Sequence, residues 1–193
     1  DYKKIGLEDY GKPGNYVARQ VSRWSKQYRA SETDDIEAMN NLIEWLPKNI
    51  PDDDETSIVH GDYRLDNMIL NNNKVMGILD WELSTLGHPI ADFSYHCLSW
   101  RTQEAFWDQA KLKELGVPSE KEYMDMYCEN TGKDLSKNWE FYMAFNMFKI
   151  AGILQGILGR VRDGTAASKH AEDRGMMVYP LSEAAWNTIK DNF

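Results

Sequence analysis

The sequence is short of the residues that build metal clusters and disulfide frameworks. It has two cysteines, Cys97 and Cys128, and four histidines, none of them at paired ligand spacing. The two cysteines have no metal-binding or redox spacing. The two thiols read as ordinary side chains of a reducing compartment, the cytoplasm or a reducing organelle lumen. Cations are scarce as well: 22 Lys and Arg stand against 31 Asp and Glu, a formal net charge of −9. Nucleic acid and anionic membrane surfaces reward clustered Lys and Arg, so neither is an expected partner. Long apolar runs are missing too. The longest, Ile150 to Gly159, is broken by Gln155 and flanked by Lys149 and Arg160, too short to span a bilayer. No signal peptide is visible, but the chain opens at Asp1 and not at Met, so that absence carries no weight. Nothing in the pattern specifies an oligomeric state.

What is present is core. Of 193 residues, 42% are hydrophobic, ample for one compact domain. After the loop Gly11-Lys12-Pro13-Gly14, the residues Val17, Val21, Trp24 and Tyr28 recur at helical spacing. Asp34 reads as an N-cap with Glu37 three residues on, and Ile36, Met39, Ile43 and Leu46 give an apolar stripe that Pro47 stops. The acidic run Asp52 to Glu55 is a loop. From Ser57 the period changes. Ser57 to His60, Asn67 to Leu70 and Val75 to Leu79 read as short strands, the last two forming a hairpin across Asn71-Asn72-Asn73. Helices return after Pro89. Ser119 and Glu122 make a capping box for a helix ending near Gly132. Lys137 to Val161 is a long aromatic-rich helix buried on much of its surface, and the chain from Ala166 is helical up to Pro180.

The β region holds a dense polar sequence, His60-Gly61-Asp62-Tyr63-Arg64-Leu65-Asp66-Asn67 and then Gly77-Ile78-Leu79-Asp80-Trp81-Glu82. A hydrophobic core does not place carboxylates at the ends of its strands, because a buried ionised carboxylate is costly unless paired or metal-bound. Singly, Asp and Asn near turns usually bond the local backbone. As a set they can converge: Asn67 and Asp80 offer the hard oxygens magnesium takes, leaving other positions to phosphate and water, and Asp62 is left to face an attacking hydroxyl. A metallohydrolase would ask for more His or carboxylate ligands than this chain provides.

His60-Gly61-Asp62-x4-Asn67, Asp80-Trp81-Glu82 and Gly87-His88-Pro89-x2-Asp92 together resemble the aminoglycoside phosphotransferase and choline kinase family, distant relatives of protein kinases. The wording of Ile5 to Tyr16 and of Gly159-Arg160-x2-Asp163-Gly164-Thr165-Ala166 is similar to a narrower branch, kinase-like domains found alone in bacteria or fused to acyl-CoA dehydrogenases. The resemblance implies an α+β fold: the mainly helical C-terminal lobe of a protein kinase-like fold, with a small β-hairpin carrying the catalytic loop. Residues 1–193 would form that one catalytic and acceptor-binding lobe. The N-terminal nucleotide-cradling lobe, with its glycine-rich turn and phosphate-pairing Lys, is absent from this sequence.

By position, the resemblance makes Asp62 the catalytic base, Arg64 a contact to the transferred phosphate, and Asn67 and Asp80 ligands of magnesium beside ATP. Glu82 would bind the metal through water, face the acceptor, or be a solvated loop acid. His60 and Asp92 would brace the loop by hydrogen bonds. The implied reaction moves the γ-phosphoryl of ATP to a hydroxyl of a small molecule. The narrower branch points to a hydroxyacyl-CoA, with Arg160 and Arg162 as anchors and Trp139 to Phe148 lining an acyl channel or packing the core. The net charge would instead suit a polycationic aminoglycoside. A reading of another class is a non-catalytic kinase-like binding module.

Overall fold

Val17, Val21, Trp24 and Tyr28 are the buried residues of α1 (Tyr16–Ser31), so the four-three-four spacing is the stripe by which this helix docks. The computed structural model describes residues 1–102 and 109–190. Helix α2 (Glu37–Trp45) follows, then β1 (Ser57–Val59), β2 (Met68–Asn71), β3 (Lys74–Ile78) and β4 (Thr85–Gly87). The rest is helical: α3 (Pro89–Cys97), α4 (Ser99–Thr102), α5 (Gln109–Glu114), α6 (Glu120–Thr131), α7 (Trp139–Arg162), α8 (Ala171–Met176) and α9 (Val178–Ile189).

Helix α7 is the centre of the molecule, packed by α1, α3, α8 and α9. Tyr142, Phe145 and Phe148 are fully buried on it. Each such side chain contributes about 1.5–3 kcal/mol relative to exposure. Its buried polar residues are bonded through their amide nitrogens: Asn146 donates to the Ala91 carbonyl at 2.9 Å and to Ser94 Oγ at 2.8 Å, and Gln155 to the Ser31 carbonyl at 2.7 Å, while Gln155 Oε1 has no partner among the described residues. The helix as a whole has 24 residues, long and apolar enough to cross a membrane, which the shorter run Ile150 to Gly159 is not; 72% of its most apolar window is buried inside the protein.

The strands form two antiparallel pairs, β1 with β4 and β2 with β3. In the second, Met68 faces Ile78 and Asn71 faces Lys74, and Asn72 and Asn73 close the hairpin at φ 47° and 59°. Asparagine tolerates this left-handed region, which a two-residue hairpin turn of the right twist requires. Strand β4 carried no alternating pattern and was not expected. The acidic loop before β1 is a clamp. Asp53 accepts from Tyr142 Oη at 2.7 Å and from Asn138 Nδ2 at 3.3 Å, Asp54 accepts from the Asn15 amide at 2.8 Å, and Glu55 pairs with Lys133.

Three local expectations are corrected. Asp34 caps nothing: α2 starts at Glu37, and Asp34 instead accepts from Tyr179 Oη at 2.7 Å, a tie to α9 that takes the carboxylate from the local amides. The stripe of α2 buries Leu42 rather than Ile43. Residues 166–170 are not α-helical, and Pro180 does not end a helix, because it stands third in α9, where its missing N–H is one the helix would not have used. The box at Ser119 and Glu122 does form, and Gly132 at φ 71° closes α6.

Candidate active site

Strand β1 ends at Val59, and the chain must then turn sharply past the start of β4. Gly61 makes this turn at φ 87°, and a Cβ there would lie 2.8 Å from the Leu83 carbonyl oxygen. Only glycine fits. The turn is held from α3: the two Asp92 carboxylate oxygens accept from the His60 and Gly61 amides at 2.7 and 2.8 Å. His60, buried, stands at 2.8 Å from the Leu79 carbonyl through Nε2, and its Nδ1 lies 3.2 Å from the Asp62 amide. A carbonyl can only accept, so the ring carries its hydrogen on Nε2 and presents Nδ1 as the acceptor. His60 thereby ties the His60–Asn67 loop to the end of β3, with the Trp81 ring 4.8 Å from its own.

Asp62 emerges from this brace with both carboxylate oxygens engaged. Tyr95 Oη, from α3, donates to Oδ1 at 2.7 Å, and Asn67 Nδ2 donates to Oδ2 at 3.0 Å and to the Asp62 carbonyl at 2.9 Å. Burial works to raise the Asp62 carboxyl, but the Tyr95 and Asn67 hydrogen bonds, with the Arg64 and Lys149 charges behind them, hold it below the ordinary carboxylate range. Tyr95 is pushed well above its usual value by burial and by Asp62, so it stays a donor. Arg64 is half exposed. It pairs with Asp66 at 3.2 Å and stands 3.9 Å from Asp62 Oδ2.

Asn67 closes a 3-10 turn (Leu65–Asn67), and its carbonyl accepts from the Leu79 amide at 2.8 Å, which brings the end of β3 beside the loop. Asp80 comes next, in the left-handed region at φ 64° and ψ 51°. With Asn67 Nδ2 spent on Asp62, its Oδ1 is left to accept. The Asp80 and Glu82 side chains are exposed and make no hydrogen bond or ion pair among the described residues. Oxygen-only donors suit a hard cation. Asn67 and Asp80 fit magnesium, whereas no group of three His, Cys, Asp or Glu side chains among the described residues could hold a metal unaided.

Tyr95 and Lys149 are the residues that sequence reasoning did not place in the site; Lys149 is the more distant in sequence. It stands on α7, reaches the Gly61 carbonyl at 3.3 Å, and lies over the Tyr95 ring at 4.7 Å. Burial lowers its pKa, with Asp92 and Asp62 opposing. The one available signal was a lone cation interrupting an apolar helix. Trp139 to Phe148 pack in the core, all but Glu140 being buried. Arg160 and Arg162 lie at the far end of α7, about 16 and 20 Å along the axis from Lys149. Arg162 is taken by Asp163 and the Glu32 carbonyl; Arg160 is exposed.

The profile of the Phosphotransferase enzyme family matches residues 1–127. The chain belongs to this family. Individual similarities run further. Mouse acyl-CoA dehydrogenase family member 10 is 44% identical over 201 residues, covering all of this chain and 19% of the mouse protein. Human acyl-CoA dehydrogenase family member 11 is 39% identical, over 99% of the chain and 25% of the human protein. The chain thus spans about a fifth to a quarter of the length of these curated relatives. The crystal structure of a candidate aminoglycoside phosphotransferase from Ralstonia eutropha JMP134 superposes with a TM-score of 0.92 at 52% identity, over 99% of this chain and 60% of that one. That match establishes the α+β, mainly helical kinase-like architecture, with its small hairpin beside the His60-Gly61-Asp62 loop.

Proposed function

We propose that this phosphotransferase is an ATP-dependent small-molecule kinase, and that residues 1–193 are its catalytic and acceptor-binding lobe. The observation that carries the reading is the Asp62 carboxylate: braced from behind by Tyr95 and Asn67, only about one-fifth exposed, and followed by a magnesium-type oxygen pair. Asp62 orients the acceptor hydroxyl and takes its proton as that oxygen attacks the γ-phosphoryl of ATP. Arg64 is held by an exposed pair with Asp66, worth little, and by a long contact to Asp62, and it can turn to meet charge on the group in transfer. Asn67 and Asp80 would hold magnesium, with Glu82 adding a ligand through water. Bound there, the ion supplies neutralisation of phosphate charge. The lobe that cradles the nucleotide is assigned to a separate segment, in keeping with the 60% of the solved relative that this chain matches.

For the acceptor, the similarity over the whole chain to acyl-CoA dehydrogenase family members supports a hydroxyacyl-CoA. Exposed Arg160 offers a phosphate of that ligand a charge-assisted contact. The described name of the solved relative favours an aminoglycoside instead. The two separate in one assay. The enzyme complete with its nucleotide lobe is incubated with a medium-chain hydroxyacyl-CoA or with a kanamycin-type aminoglycoside, and ADP release is followed. Turnover is expected with the acyl-CoA. Turnover confined to the aminoglycoside replaces the acceptor and keeps the kinase, and ADP release with neither favours a non-catalytic binding module.

A further inference from the structure

Lys149 is expensive where it stands. Its neighbours Phe148 and Ala151 are wholly buried, and a Leu or Met would pack the same position without desolvating an ammonium. No carboxylate lies within ion-pair distance of it among the described residues; it has one long bond to the Gly61 carbonyl and the face of Tyr95. The charges that face it are Asp92 from α3 and Asp62 from the loop, opposed by Arg23 from α1. A cation in this place is explained by what it touches. The carbonyl belongs to the residue before the base, and the ring belongs to the residue whose hydroxyl holds the base.

We propose that Tyr95 and Lys149 are positioning residues that fix the Asp62 carboxylate from behind, through contacts that begin on the core helix α7. The inference rests on the reading of Asp62 as the base. Tyr95 pins Oδ1 from α3 at 2.7 Å. Lys149 pins the Gly61 carbonyl and the Tyr95 ring from α7, and α7 is itself held on several sides. Without these two contacts, the Asp62 carboxylate keeps only Asn67 and the distant Arg64 as partners among the described residues, both on its own loop. Rotation about the Asp62 side-chain bonds would then carry the carboxylate away from the hydroxyl it must reach, and small displacements of a reacting group cost heavily in rate. Neither residue touches the reacting atoms in this scheme, so both act through Asp62.

Two measurements test it. The first needs no turnover: NMR three-bond Hα–Hβ couplings of Asp62 in the 193-residue chain. One large and one small coupling, the mark of a single rotamer, are expected in the native chain, and averaged values in Tyr95→Phe, which keeps the ring and the fold. Unchanged couplings in Tyr95→Phe overturn the proposal. The second uses the enzyme with its nucleotide lobe. Tyr95→Phe and Lys149→Met should each lower kcat by about ten- to a hundredfold with the KM for ATP within about twofold, and the double variant should lose less than the product of the two. Independent, multiplicative losses, or losses seen only in KM, overturn it. Asp62→Asn is the control that separates the two levels. If it retains native turnover, the base assignment fails whatever Tyr95 does; if it is inactive while Tyr95→Phe is fully active, only the positioning role fails.

Discussion

In α7, Tyr142, Phe145 and Phe148 are wholly buried and Asn146 has two partners; at the β2–β3 end, Leu70, Val75 and Met76 are more than half exposed, and the Asp80 and Glu82 side chains bond to nothing described. One region spends its side chains on packing. The other carries exposed apolar surface, solvated carboxylates and an aspartate held in the left-handed region, a backbone conformation that costs stability. The contrast supports the site proposed above, because a strained residue without a packing role is a candidate for contacts with something other than the chain itself. Three substitutions bear on whether the division is real.

The largest effect is expected at Asp62. Asp62→Asn keeps the shape and removes the base, so turnover of the complete enzyme should fall by about 10²–10⁴-fold with the melting temperature nearly unchanged. Near-native turnover would take Asp62 out of the chemistry, and a large drop in melting temperature would make it part of the packing instead. Phe148→Ala is the converse. Removing a fully buried ring from α7 should cost about 3–5 kcal/mol by denaturant titration, while the fraction that stays folded retains its catalytic constant. A loss under 1 kcal/mol would show that the helical body is looser than its burial implies.

The smallest effect is the most discriminating. Asp80 sits at φ 64°, a region that costs most L-residues about 1–2 kcal/mol and glycine nothing. Asp80→Gly should therefore raise stability by up to about 1 kcal/mol and at the same time raise the magnesium concentration needed for half-maximal activity. Both shifts are read from one preparation, by thermal melt and by metal titration. A lower melting temperature would mean that the carboxylate has a structural partner, and an unmoved magnesium curve would place the metal elsewhere.

How far the sequence could be read depended on how far apart the contacting residues lie. The His60 to Asn67 loop was legible because its members are neighbours, and the hairpin because Asn72 and Asn73 declare their turn. Tyr95 and Lys149 were not, since they meet the loop across separations of 33 and 88 residues and look like any residue of an aromatic-rich helix. Asp34 failed as a cap for the same reason: its partner Tyr179 is 145 residues away. Local chemistry supplied a plausible helix start, and a distant hydroxyl took the carboxylate. Pro180 misled in another manner. The rule that proline ends helices holds in their interiors and lapses in their first turn.

The acidic loop of Asp53 to Glu55 also bears on the order of events as the chain folds. Its bonds to Tyr142, Asn138 and Lys133 join residues separated by 89, 85 and 78 positions. Helices can grow in advance of such contacts, whereas the loop has nothing to grip until α7 and the segment before it have arrived. These bonds are therefore expected to close late, beyond the rate-limiting step. Loosening them would then leave the speed of folding nearly as it is and show itself in how quickly the finished molecule comes apart.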